Sequence, residues 1–291
     1  MKNAPIKRVA IIIKKNQQKT LAEAKTLAKW LKARKVTSFF EEDVAAKLKG
    51  DVLTYNKKKF ANIDLLICLG GDGTLLSTVK YVIGTKIPIL GVNMGSLGFL
   101  TEISLKNMYT SLERVLKGDY TISKRATFSA AITHGGKTKR YNVLNDVVIN
   151  KRSLAKIIDL ELTINDTLVT TYNSDGLIIS TPTGSTGYSL SAGGPIIHPK
   201  EDCMMITPIC PHTLTQRPII VPGNSTIKVR VMSKSDDVQL TLDGQISNEL
   251  EHQNEVIIKK SDKKIMLIES FEKNYFEVLR TKLHWGKRGT K

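Results

Sequence analysis

The hydrophobic period of this chain changes near residue 120, and no other feature constrains its fold as strongly. Before that point short apolar runs alternate with helical patterns. Val9-Ala10-Ile11-Ile12-Ile13, Leu65-Leu66-Ile67-Cys68-Leu69 and Ile87-Pro88-Ile89-Leu90-Gly91-Val92 are nearly continuous runs. Such runs are expected of parallel strands covered on both faces. Val36 to Phe40 reads as one more strand. Leu21, Ala24, Leu27, Ala28 and Leu31 recur at steps of three and four, as do Leu105, Met108, Leu112 and Val115. Each set marks one face of a helix. Strand–helix alternation predicts an α/β domain with a parallel sheet and right-handed crossovers.

After residue 120 the period becomes two. Ile158, Leu160, Leu162 and Ile164 alternate with polar residues; so do Ile227, Val229 and Val231, and Val238, Leu240 and Leu242. Ile265 to Ile268 is one more short apolar run. Closely spaced short strands predict an all-β, sandwich-like domain. Phe276, Leu279 and Leu283 then fall at helical steps. The expected division is an α/β domain over 1–120, a β-sandwich-like domain over 121–270, and a C-terminal helix over 271–291 docking on the first.

Composition narrows the setting. A chain of 291 residues buries a sizeable core without disulfide or metal staples. Its three cysteines, Cys68, Cys203 and Cys210, form no Cys-x-x-Cys pair and read as free thiols. No run approaches the roughly 18 apolar residues of a membrane span. The N-terminal apolar run, Val9 to Ile13, is too short for a signal-peptide core. The expected compartment is the cytoplasm. The net charge is +17, with 44 Lys+Arg against 27 Asp+Glu. Residues 1–35 hold eleven of those cations and one acid, Glu23. Such a surface attracts polyanions. Without a nucleic-acid motif or an aromatic stacking platform, nucleic acid is not the expected partner; neither is a membrane.

Three motifs carry chemistry. The first, Leu69-Gly70-Gly71-Asp72-Gly73-Thr74, ends a buried strand and opens an apolar-periodic segment. Ligands bind at the carboxyl ends of strands in open α/β sheets, and glycines let backbone N–H groups approach a phosphate. A carboxylate there either holds Mg²⁺ or takes a proton from an attacking hydroxyl; in an ordinary turn it would cap the helix. The chain has neither a Gly-x-x-x-x-Gly-Lys-Ser/Thr loop nor a Gly-x-Gly-x-x-Gly fingerprint. The stretch from Gly91 to Leu100, with Gly95 and Gly98, reads as a second glycine-rich loop beside the first. The second motif is Asn145-Asp146, interrupting an apolar strand-like run. A carboxylate accepts both hydroxyls of a ribose, and an amide donates to and accepts from a base edge. The third, Ser174 to Pro195, is dense in small and hydroxyl residues around Tyr188, which can stack on a base or ribose.

Together the GGDGT of 70–74, the ND of 145–146 and the GSTGYSLSAGGP of 184–195 resemble the signatures of the NAD kinase family, in order and over nearly the whole chain. The resemblance implies an α/β N-terminal and a β-sandwich C-terminal domain. It implies transfer of the ATP γ-phosphoryl to the adenosine-ribose 2′-hydroxyl of NAD⁺, giving NADP⁺ and ADP. It implies a divalent cation, Mg²⁺, and a homodimer or homotetramer with sites shared between subunits. By the same resemblance Asp72 is the general base, with Gly71 and Gly73 beside the dinucleotide. No direct protein metal ligand is implied beyond Asp72. Asn145 and Asp146 grip base and ribose, and Asp175 lies near the nicotinamide end. Thr186, Gly187, Tyr188, Ser189, Leu190 and Ser191 form the dinucleotide-binding segment, with Gln245 a further contact. Gly187 departs from the family's usual Ala, and Asn173 and Lys156 stand where some members place Arg or His. Two other readings compete. A GGDG lipid kinase would leave the third motif unexplained. A non-enzymatic dinucleotide or nucleic-acid binder would show steep salt dependence without turnover.

Overall fold

The computed structural model describes residues 5–15, 17–48, 53–54, 62–134, 137–152, 156–234 and 237–286. The first four residues of the basic N-terminal stretch and the last five of the expected C-terminal segment lie outside them. The chain divides into two compact units, Met1–Lys124 with Ile265–Lys291, and Arg125–Lys264.

The first unit is built on a parallel sheet. Its elements in chain order are β1 (Arg8–Ile13), α1 (Gln18–Ala33), β2 (Thr37–Phe40), α2 (Glu42–Leu48), β3 (Leu53–Thr54), β4 (Leu65–Gly70), α3 (Asp72–Val82), β5 (Pro88–Asn93), β6 (Ile103–Ser104) and α4 (Met108–Leu116). The spatial order is β3-β2-β1-β4-β5, with β6 beside β5. The chain therefore reverses direction between β1 and β4. That reversal is the switch point at which open α/β sheets bind ligands. Both faces are covered. Val9, Ile11 and Ile13 join Leu65, Ile67 and Leu69 in one core with Leu27 and Leu31 of α1 and Leu112 and Val115 of α4. Ala10, Ile12, Leu66 and Cys68, on the opposite face, are equally buried.

The second unit contains β7 (Ile122–His134, from Arg125 onward), β8 (Lys137–Val143), β9 (Asp146–Lys151), β10 (Ile158–Ile164), β11 (Thr167–Ser174), β12 (Gly176–Ser180), the short α5 (Tyr188–Ser191), β13 (Cys203–Ile209), β14 (Ile219–Pro222), β15 (Thr226–Val231), β16 (Val238–Leu242), β17 (Ile246–Leu250) and most of β18 (Glu255–Ile268). One sheet runs β14-β13-β12-β9-β16-β17, antiparallel throughout. The other contains β11-β10-β15-β18 together with β7 and β8. Alternate residues of both sheets, among them Phe128, Val147, Leu160, Leu177, Ile206, Val229 and Leu240, share one core. The period-two pattern is thus that of strands burying one face.

Two expectations need correction. Ile265–Ile268 is not a separate short strand but the end of the fourteen-residue β18, and Met266 and Leu267 pair in parallel with Pro88 and Ile89 in the first unit. The C-terminal helix, α6, spans only Tyr275–Leu283. It starts at a capping box made by Asn274 and Glu277 and stops at His284, whose φ is +55°. Its buried residues are Val278 and Leu279, while Phe276 is 59% exposed. The hydroxyl-rich stretch from Ser174 divides into a strand and the segment that follows it. Its apolar core, Gly176–Ser180, is the fully buried strand β12. The residues after it cover the outer face of that strand, where Ala192 packs on Val148, Ile178 and Ile209.

Candidate active site

In the first unit, β4 ends at Gly70 and α3 begins at once. Gly71 is the N-cap, so Asp72 occupies the first helical position rather than capping the helix. Its carboxylate turns to the second glycine-rich loop. Oδ1 accepts from Leu100 N, Thr101 N and Thr101 Oγ1, each at 3.0 Å, and Oδ2 accepts from Phe99 N at 2.8 Å. The approach is so close that a Cβ on Gly98 would lie 2.1 Å from Asp72 Oδ1. Gly71 and Gly73, by contrast, face open space within 4 Å of where a Cβ would stand. Backbone at this helix N-terminus is therefore open to a ligand, in the position that favours anions.

A cavity of about 440 Å³ lies at the switch point, lined by Ile12 and Ile13 of β1, by Gly71, Gly73 and Thr74, and by Lys14, Lys15, Glu41, Ser77, Lys80 and Tyr81. Lys15 is shared with two acids, Asp43 at 2.8 Å and Glu41 at 3.6 Å. The Tyr81 hydroxyl donates to Glu41 at 3.0 Å. Burial first, and then that bond to a carboxylate, pushes the Tyr81 hydroxyl up to about 12. The sequence motifs did not bring out these side chains. The signal available was Lys14-Lys15 directly after a buried strand, the carboxyl end of β1.

In the second unit, Asn145 and Asp146 lie at the start of β9. A turn from β16 into β17 reaches them: Asp243 Oδ2 accepts from Leu144 N at 2.8 Å, and Oδ1 accepts from Asn145 N at 2.6 Å and Asp146 N at 3.1 Å. Asp146 is buried. Desolvation first, and the nearby Asp243 charge second, push its carboxyl up to about 7. Burial also raises Asp243, against the lowering effect of its three backbone donors. Among the described residues, nothing hydrogen-bonds the buried Asn145 Oδ1. Such an orphan acceptor signals a missing donor. Gly187 faces this pair: a Cβ there would lie 3.7 Å from both Asn145 Nδ2 and Asp146 Oδ2.

The expected dinucleotide segment behaves unevenly. Gly187 is the N-cap of α5, and Tyr188, the first residue of that helix, is 47% exposed with its ring available for stacking. Thr186 and Leu190 are half-buried and Ser191 is exposed. Ser189 needs correction as a direct contact. It is fully buried, and its hydroxyl is bonded to Thr207 Oγ1 at 2.8 Å. Ser185 is likewise spent inside, between Pro182 O and Ile197. These hydroxyls hold the segment's shape. Gln245 is exposed and shares the Asp243 turn, its N–H donating to Leu242 O at 2.9 Å.

Asp175 is not brought to this cluster. It precedes β12, whereas Ser180, at the other end of that strand, is the residue that pairs with Asp146. Five strand residues separate the two ends by roughly 13 Å. Asp175 is paired instead with Lys151 at 2.6 Å. Asn173 donates to Asp159 Oδ1 at 2.8 Å. Asp243 is a further functional candidate that the motifs missed; the Asp243-Gly244 turn dipeptide was its local signal. Thr181 lies within the third motif, but its role there was not singled out.

Comparison with known proteins gives a consistent result. Residues 9–120 match the ATP-NAD kinase N-terminal domain, and residues 144–270 match the ATP-NAD kinase C-terminal domain. An NAD kinase of Geotalea daltonii is 49% identical over 284 residues, covering 97% of this chain and 100% of its own length. One from Syntrophotalea carbinolica is 47% identical over 285 residues with the same coverage. Among solved structures, a yeast NADH kinase complexed with NADH is similar with a TM-score of 0.92 at 26% identity, covering 99% of this chain and 91% of that one. An NAD kinase from Archaeoglobus fulgidus in complex with ATP is similar with a TM-score of 0.77 at 25% identity, covering 94% of this chain and 99% of that one.

Proposed function

The chain belongs to the NAD kinase family, and from that premise we propose how its residues carry the reaction. It catalyses ATP-dependent phosphorylation of NAD. The γ-phosphoryl of ATP passes to the 2′-hydroxyl of the adenosine ribose of NAD⁺, giving NADP⁺ and ADP. The observation that supports the donor side is the cavity at the switch point. Its glycine-lined helix start and its Lys14, Lys15 and Lys80 suit a triphosphate.

Asp72 is the general base. Oδ1 already accepts three hydrogen bonds and Oδ2 one. A carboxylate oxygen offers about two lone-pair sites, so Oδ2 is the atom left to take the proton. The other bonds hold the group in one orientation, which suits phosphoryl transfer, where positioning matters more than covalent help. On the acceptor side Asp146 takes ribose hydroxyl protons in hydrogen bonds, and Asn145 Oδ1 receives a donor from the base or ribose. Gly187 leaves room for close approach, and Tyr188 stacks. Gly71, Gly73, Thr186, Leu190, Ser191 and Gln245 border the dinucleotide, and Ser189 holds the segment from within.

Among the described residues no group of three or more His, Cys, Asp or Glu is arranged to hold a metal ion. The donor set does not fit a protein cage for Mg²⁺. It fits a cation arriving on the phosphates of ATP, with Asp72 as the carboxylate within the glycine loop. Such a cation neutralises charge on the transferring phosphoryl group. Asp175, roughly a strand's length from Asn145–Asp146, is assigned to the nicotinamide end of a site shared between subunits of a homodimer or homotetramer. The compartment is the cytoplasm, and the excess cations steer ATP and NAD⁺ rather than nucleic acid or membrane. No described helix is long and apolar enough to cross a membrane.

The test is NADP⁺ formation by the purified chain with ATP, Mg²⁺ and NAD⁺, read through an NADP-specific dehydrogenase. The expected result is turnover that stops when Mg²⁺ is omitted. A folded protein that makes no product from ATP or polyphosphate overturns the assignment.

A further inference from the structure

The side chains of Asn145 and Asp146 are useful only if the backbone beneath them is held, and the holding groups are specific. Asp243 opens a turn in which both it and Gly244 have left-handed backbones, φ +51° and +63°. The turn sends the Asp243 carboxylate back over the start of β9, where it accepts the N–H groups of Leu144, Asn145 and Asp146. The Asp243 N–H returns a bond to Asp146 O at 3.0 Å. Thr181 closes the other side, with its N–H on Asn145 O at 2.9 Å and its hydroxyl on Leu144 O at 2.6 Å. Every backbone polar group of residues 144–146 is thereby satisfied. The side chains are different: among the described residues Asn145 Oδ1 has no partner, and the Asp146 carboxylate is buried beside the Asp243 charge.

We propose that Asp243 is a positioning residue for NAD, pinning the 144–146 turn so that Asn145 and Asp146 are oriented before the dinucleotide arrives. The assignment rests on the reading of Asn145 and Asp146 as dinucleotide residues. Two observations separate it from plain structural support. Three amides converge on one half-buried carboxylate, where a neutral acceptor would avoid the desolvation cost. That carboxylate also stands beside a second one. Asp243 is the one charge acting on Asp146, and together with burial it holds the Asp146 proton toward neutrality. Removing the Asp243 charge lowers Asp146 again, because a like charge nearby favours the neutral form.

Asp243→Asn, nearly isosteric, is assayed in the full chain for NADP⁺ formation with NAD and ATP varied separately. The expected result is a KM for NAD raised about ten-fold, since one buried N–H now faces an amide N–H rather than an oxygen. The KM for ATP stays unchanged. The acid limb of kcat/KM for NAD moves to lower pH, as Asp146 ionises more easily. A merely structural Asp243 moves stability and leaves that limb in place. A folded variant with unaltered KM for NAD and unaltered limb overturns the proposal. If the variant does not fold, amide hydrogen exchange on the wild type without NAD decides. Protection of residues 144–146 is expected, and exchange at open-loop rates overturns the proposal. A wild-type chain that forms no NADP⁺ overturns the proposed reaction and this assignment with it; wild-type turnover beside an unaltered variant overturns this assignment alone.

Discussion

Replacing Asp72 by Asn separates the loop-holding job that its carboxylate performs from the base role proposed for it. In the wild type Oδ1 accepts three hydrogen bonds from residues 100 and 101 and Oδ2 accepts one from Phe99 N. The Asn side chain keeps most of this if its carbonyl takes the Oδ1 position. Its amide then faces the Phe99 N–H, and that one bond is lost. Leaving a part-buried N–H against another donor costs about 1–3 kcal/mol. A domain stable by about 5–15 kcal/mol tolerates that loss, so the variant folds with a lowered midpoint. The chemical loss is larger. Without a base at Oδ2, turnover falls by about 10²–10⁴-fold, or roughly 3–5 kcal/mol in the barrier. The assay is kcat for NADP⁺ formation together with the thermal midpoint, beside Thr101→Val as a control. That control deletes the Oγ1 donor to Asp72 and the acceptor of Asn93 Nδ2, but it keeps the carboxylate. Its midpoint falls, and its turnover falls less than that of Asp72→Asn. Wild-type turnover in Asp72→Asn removes Asp72 from the base role. Equal losses in the two variants assign the effect to loop geometry instead.

Other substitutions give sharp outcomes. Gly98→Ala places a methyl 2.1 Å from Asp72 Oδ1 and 2.4 Å from Thr101 Oγ1; it displaces the carboxylate and loses at least as much turnover as Asp72→Asn, and a well-folded Gly98→Ala enzyme of normal activity would refute the close approach. Asp146→Asn stabilises the protein at pH 8: the Asp146 carboxyl is raised from 3.8 to about 7, so its ionisation opposes folding above that range, and the penalty is relieved as pH falls through 7 toward 4. The wild-type deficit relative to Asp146→Asn is at most roughly 4 kcal/mol at pH 8 and vanishes near pH 4, measured as the difference in unfolding free energy at each pH. Lys80→Ala and Lys15→Ala raise the KM for ATP several-fold at low salt and leave the KM for NAD unchanged; the effect shrinks as salt screens these exposed charges, and an unchanged KM for ATP argues against the lysine-lined cavity as the donor site.

The elements that leave a continuous apolar run in the sequence were legible. Val9–Ile13 and Leu65–Leu69 announced buried parallel strands because both of their faces are covered. The glycines after β4 announced a ligand loop because the helix starts immediately. The seven-residue α2 offered too few turns for a periodicity to emerge. Strand β12 was hidden within a hydroxyl-rich stretch because its five residues are buried on both faces and so show no alternation. Ser189 belongs to that stretch and looks like a ligand group in sequence. Only its long-range bond to Thr207 shows that its hydroxyl is spent in the interior.

What was least legible is a device that both units use. In each, an aspartate accepts three backbone N–H groups from a loop distant in sequence: Asp72 from residues 99–101, and Asp243 from residues 144–146. Loops that present functional groups cannot satisfy their amides within a strand or helix, and a carboxylate offers enough lone pairs to serve three at once. The two aspartates then diverge by environment. Asp72, half-exposed at a helix start, keeps an oxygen with a free lone pair and sits where an anion is favoured. It can clamp its loop and still take a proton. Asp243 is half-buried too, but it sits in the turn between two strands with Asp146 beside it, and its proposed influence on the ligand passes through Asn145 and Asp146. Placement at a helix start beside open backbone, rather than residue type or exposure, therefore separates the aspartate proposed to do chemistry from the one proposed to position it. Swapping the charge at each site tests the distinction: neutralising Asp72 lowers kcat, whereas neutralising Asp243 raises the KM for NAD and shifts its pH limb.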